Sequence, residues 1–189
     1  MTNATKRALA SSLRKLLLEK PLSKITISEI SDGAEVNRQT FYYHFADIMD
    51  LLRYASRIEG ETIVKELSFG YDFESDIARL LTLFKESSPV IMNLYHYLDR
   101  ASAEGLLDEV THGFVTFYAK KAAIGIELAQ EDIHDVSVFY GHAIKGVIHD
   151  YVQSSFAGNV QDIAHKTASI MAGSFRNSLI NLANERLSR

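Results

Sequence analysis

Apolar residues recur at intervals of three and four along almost the whole chain, the spacing of helices that carry one greasy stripe, and nowhere do they alternate as strands require. Leu9, Leu13, Leu16 and Leu17 share such a stripe and predict a helix over about residues 4–19, stopped by Pro21. Ile48, Leu51, Leu52, Ala55, Ile58 and Ile63 predict a long helix from Asp47 to about Leu67, in which Gly60 is a weak point. Further periodic runs predict helices at about 74–86, 104–128, 132–156 and 160–187, with another opened by Ser88 as N-cap and Pro89 at its first position. The expected class is all-α with about nine helices: an N-terminal three-helix domain over 1–50 and a helical bundle over 51–189. The turn-like SFGYD stretch after residue 67 marks the sharpest break in the pattern, and Gly158-Asn159 separates the last two long helices.

The most informative stretch runs from Thr26 to His44, closed by Phe45. Thr26 and Glu29 have the spacing of a capping box, in which hydroxyl and carboxylate each satisfy the other residue's amide. A short helix therefore begins there, with Ile27 and Ile30 turned inward. Asn37 is the next N-cap, and Val36 before it pairs with Phe41 one turn in as a hydrophobic staple. At 100° per residue, Phe41 and Phe45 share one face of the second helix, while Gln39 and Tyr43 point away from it. Two short helices joined by a tight turn, with the second polar and aromatic on its outer side, make a helix-turn-helix suited to the major groove of DNA. Arg38 can bind guanine O6 and N7, and Gln39 adenine N6 and N7, with Thr40 and Tyr43 beside them. Thr26, Thr40, Tyr42 and His44 are donors suited to phosphates.

Composition adds three constraints. The 189 residues, 47% apolar with two prolines, suffice for one large or two small cored domains. No cysteine is present, which excludes disulfides, thiolate chemistry and cysteine-bound zinc. The first residues lead into an amphipathic helix instead of a secretory h-region, and no apolar run is long enough to span a bilayer, so a cytoplasmic protein without membrane association is expected. The net charge of -4 conceals an asymmetry: residues 1–57 hold nine Lys and Arg against six Asp and Glu, so the positive charge gathers on the N-terminal third.

The wording TISEIS followed by VNRQTFYYHFADIMDLL resembles the N-terminal domain of the TetR (tetracycline repressor) family, over about residues 5–55. The RQTFYYHF segment is further similar to a branch that includes regulators of dihydroxyacetone kinase operons. The resemblance implies that Arg38, Gln39, Thr40 and Tyr43 lie near bases and that Thr26, Tyr42 and His44 contact phosphates. Two departures stand out. The family usually has Gly in the turn where Glu35 stands here, with Gly33 placed to take the turn instead, and it commonly has Lys where Ile48 opens the next helix.

The resemblance also implies a homodimer that presents two heads to a palindromic operator, a repressor's action, and a small-molecule effector that releases it. Small residues among large apolar ones on the last two helices permit close approach of a second copy, with Ala143, Val147, Ile148, Ile170 and Gly173 as interface candidates. Tyr95, Phe114, Phe117, Tyr118, Phe139 and Tyr140 are candidates to line an effector cavity, or simply to fill the core. Catalysis is not expected: HExxH, GxSxG, GxGxxG and P-loop patterns are missing, and the scattered histidines predict neither a metal site nor a cofactor. The alternative is a transcriptional coactivator or protein-interaction module with weak or no DNA binding.

Overall fold

The computed structural model describes residues 2–67 and 72–188, and all its regular elements are helical. They are α1 (Thr2–Glu19), a 3-10 turn (Leu22–Lys24), α2 (Ile27–Gly33), α3 (Arg38–His44), α4 (Ile48–Leu67), α5 (Phe73–Glu86), α6 (Ser88–Tyr97), α7 (Arg100–Ala122), α8 (Gln130–Gln153), α9 (Val160–Met171) and α10 (Ser174–Leu187). The break expected at SFGYD lies outside the described residues except for Asp72, which caps α5 by accepting from the Ser75 amide at 2.8 Å.

Most helix ends follow the local chemistry, with three corrections. The run expected as one helix over 160–187 is two, which brings the described residues to ten α-helices, in keeping with the nine or so expected: Gly173 adopts φ 70° and breaks the axis between Met171 and Ser174. The helix expected from 104 begins at Arg100, because Asp99 caps it through the Ser102 amide at 2.9 Å. Ser88 is not a cap but the first residue of α6, which follows Ser87 directly.

Two apolar cores organise the chain. The first gathers Leu9, Leu13, Leu17, Ile30, Phe41, Phe45, Leu51 and Leu52 from α1 to α4, and Leu106 of α7 completes it. The second is built from α5, α7, α8, α9 and α10 around Ile77, Leu80, Phe114, Ile144 and Ile148. Three helices serve both: α7, as just described, α4 and α6. α4 gives its first half to one core and Ile63 to the other. α6 buries no residue fully, yet its Val90 and Leu94, with Leu98 just past its end, pack on the first core while Ile91, Met92 and Tyr95 pack on the second.

α4 and α7 approach very closely. A methyl group placed on Gly60 would stand 2.7 Å from the carbonyl oxygens of Glu109 and Val110. Across the second core, the Tyr118 hydroxyl donates to the buried Asp76 carboxylate, tying α7 to α5. Desolvation pushes the Asp76 carboxyl above the usual range, and burial beside that carboxylate raises the Tyr118 hydroxyl as well. No helix among the described residues is long and apolar enough to cross a membrane.

Candidate nucleic-acid interface

The head is assembled as its short-range signals require. The Thr26 hydroxyl accepts from the Glu29 amide at 3.3 Å, and the Thr26 amide donates to Glu29 Oε2 at 3.0 Å, which closes the capping box. Lys20 also donates to Glu29, and these bonds, that of Lys20 foremost, draw the carboxyl down to about 2. Asn37 Oδ1 accepts from the Thr40 amide at 2.8 Å and starts α3. Phe41, fully buried, and Phe45 then face the core with ring centroids 5.9 Å apart, and Lys6 lies over Phe45.

What remains outside is the proposed reading surface. Tyr42 and Tyr43 are 60% and 78% exposed, among the most exposed large side chains of the molecule. Gln39 is exposed beside them, and the His44 ring meets Tyr43 edge-on at 4.9 Å. Arg38 is exposed but turned back: its Nε donates to the Ser28 hydroxyl of α2, leaving the two terminal nitrogens of the guanidinium for a partner. Thr40 and Thr26 spend their hydroxyl protons locally, on Asn37 at 3.0 Å and on Glu29 at 2.9 Å. α4 opens at Ile48 behind a second reciprocal cap, in which Asp47 accepts from the Asp50 amide and Asp50 from the Ala46 amide.

The turn between α2 and α3 departs from expectation. Gly33 does not take the left-handed position; it is the last residue of α2, and Glu35 adopts φ 56° instead. A side chain there costs about 1–2 kcal/mol, so Glu35→Gly is expected to raise stability by about 1 kcal/mol, or roughly 2–4 °C in Tm for a chain this long. An unchanged melting curve would show that the turn holds no strain.

The expected effector residues do not converge. Phe114, Tyr118 and Tyr140 are core rings, packed with Phe73 and Phe175 at centroid distances of 4.3–6.4 Å where they touch, and Phe117 packs half-buried against them. Phe139 is 69% exposed, because the inward stripe of α8 runs through Val136, Tyr140, Ile144 and Ile148 and leaves it outside. Only Tyr95 of the six borders the apolar cavity of about 120 Å³ between α4, α6, α7 and α8, with Ile91, Leu94, Leu107, Val110 and His149. The same inward stripe makes Ile148 a core residue and not a surface one, whereas Ala143, Ile170 and Gly173 are exposed and Val147 is half-buried. Among the described residues no three His, Asp or Glu side chains gather to hold a metal ion.

Asn93 has a part that the sequence did not suggest. Its side chain on α6 bonds the backbone of Leu17, Lys20 and Leu22, more than 70 positions away, and no local pattern marks it.

A capped two-helix head on a helical bundle is the architecture of a helix-turn-helix transcriptional regulator. Residues 9–55 match the family described as "Bacterial regulatory proteins, tetR family", and residues 72–173 match the one described as "Transcriptional regulator C-terminal region". The chain belongs to the TetR family, whose members are transcription factors and not enzymes. Among solved structures it is similar to the dihydroxyacetone kinase operon activator DhaS, with 15% identity, 92% of this chain and 97% of that one covered, and a TM-score of 0.58. A TetR transcriptional regulator from Rhodococcus sp. RHA1 gives 15%, 96% and 96%, and 0.62. The TetR family repressor AlkX from Dietzia sp., implicated in biodegradation of n-alkanes, gives 16%, 91% and 98%, and 0.63. At these identities the likeness is one of fold. No curated protein matches the chain.

Proposed function

We propose that the chain is a homodimeric regulator that binds a palindromic operator and represses transcription, with release by a small apolar effector. The observation that carries this reading is the division of α3: Phe41 and Phe45 anchor it in the core while Arg38, Gln39, Tyr42 and Tyr43 stand in solvent. Such a helix offers base-edge and phosphate donors on a rigid support. Repression follows most simply, since occupied promoter DNA obstructs polymerase without any further contact. The dimer rests on Phe139, Ala143 and Gly146, which follow one another along the outer face of α8, and on the exposed Ile170 and Ile180 nearby in sequence on α9 and α10. The cavity beside Tyr95 is the natural seat for an effector, since its walls are almost wholly apolar.

Salt-titrated binding to the protein's own upstream DNA and to random duplex tests the operator reading. Specific affinity is expected to exceed random affinity by a factor of about 10³ or more, and equal affinities at every salt concentration would refute it. Within α3, Arg38→Ala and Gln39→Ala should each forfeit about 1–3 kcal/mol of base discrimination, whereas His44→Ala should weaken all sequences alike. Sedimentation tests the dimer: a monomer at micromolar concentration would count against it.

A further inference from the structure

Pro21 breaks the end of α1 in a specific way. The Leu17 carbonyl would ordinarily accept from the amide four residues on, but residue 21 is proline and has none. Asn93 supplies the missing donor from the opposite side of the joint. Its Nδ2 donates to the Leu17 carbonyl at 2.8 Å and to the Lys20 carbonyl at 2.7 Å, while its Oδ1 accepts from the Leu22 amide at 3.0 Å. Two carbonyls and one amide facing a single planar group demand two donors and one acceptor, and a carboxamide meets that demand. Aspartate lacks the donors and serine lacks the reach.

The joint so fixed leads directly to the reading head. Lys20, held by its carbonyl, reaches with its ammonium to Glu29, the carboxylate that closes the capping box at the start of α2. Arg38 at the start of α3 is bonded in turn to Ser28 of α2. On the other side, Asn93 stands on α6, whose neighbours Ile91, Leu94 and Tyr95 line the apolar cavity. From these contacts we infer that Asn93 is a positioning residue: by splicing the end of α1 to α6 it sets the angle of each head on its body and hence the half-site spacing that the protein accepts. This rests on the operator-binding dimer proposed above.

The test uses the full chain and duplexes that the wild-type protein selects from a random-sequence pool. Each selected palindrome is compared with copies that carry one or two extra base pairs at the centre, and with a duplex that holds a single half-site. An inserted base pair moves one head by about 3.4 Å and 35° around the DNA, so wild-type affinity is expected to fall roughly tenfold or more. Asn93→Ala and Asn93→Asp should reduce that penalty to about threefold or less while single half-site affinity stays within about twofold. Simple loss of stability would weaken every duplex together and leave the ratio alone.

Pro21→Ala in the Asn93→Ala background separates positioning from capping. The new amide gives the Leu17 carbonyl a partner within α1 and should recover melting temperature, but it makes no bond to α6 and should leave the spacing penalty flat. Unchanged spacing selectivity in both Asn93 variants, or its full recovery in the double variant, overturns the inference. If the wild-type protein selects no sequence at all, or selects single half-sites only, the operator-dimer reading fails and takes this inference with it.

Discussion

Truncating Phe41 to alanine is expected to cost about 3–5 kcal/mol, the range for a fully buried aromatic, and to melt the reading head ahead of the remaining helices. Phe41 is entirely shielded from solvent and packs against the rings of Phe45 and Tyr42 in a core of short helices. α2 and α3 have seven residues each, too few to persist without that core. The loss is comparable to much of the stability of an ordinary domain. Amide hydrogen exchange during a urea titration should show residues 27–44 opening at lower denaturant than α7 and α8, with DNA binding lost in the same step. A variant that unfolds at the wild-type midpoint, in a single transition, would contradict the packing described for α3.

Gly60→Ala is expected to destabilise by about 2 kcal/mol. An alanine methyl in mid-helix ordinarily gains up to about 1 kcal/mol over glycine, but here it would stand 2.7 Å from two carbonyl oxygens and 2.9 Å from the Val110 Cα. Those atoms are backbone and cannot rotate aside, so α4 and α7 must separate, at the upper end of the about 1–3 kcal/mol that overpacking costs. Gly105→Ala is the control, since no atom lies within 4 Å of its added methyl, and it should gain about 0.5–1 kcal/mol. Melting of the two variants in parallel decides the matter. Equal shifts of the same sign would mean that α4 and α7 can part without loss.

The head was legible because its determinants are short-range. Thr26 with Glu29, Asn37 with Thr40, and Val36 with Phe41 all act within a turn or so, where sequence separation and spatial separation coincide. Family resemblance then added the expectation that the outer face of α3 meets DNA, which helix geometry made only plausible. The bundle was legible as helices but not as an arrangement. Phe139 and Ile148 were given opposite places from those they occupy, because which stripe of α8 faces inward depends on the crossing of α7 and α10 and not on α8 itself. Gly173 looked like a small residue within a helix, but its positive φ makes it a break. Asn93 carried no signal, since an exposed polar residue and a splice across the joint look identical in one sequence.

The contribution of α6 and α7 to the first core also bears on exchanging parts between regulators. Val90, Leu94, Leu98 and Leu106 fill the underside of the head, although the matched N-terminal region ends at residue 55. A chimera joined at that point would set the head on a foreign floor, with its Leu17 carbonyl and Leu22 amide facing whatever residue replaced Asn93. Grafting α6 and the first turns of α7 along with the head keeps that floor intact, and moves the seam into the second core, where mismatched side chains touch only the bundle.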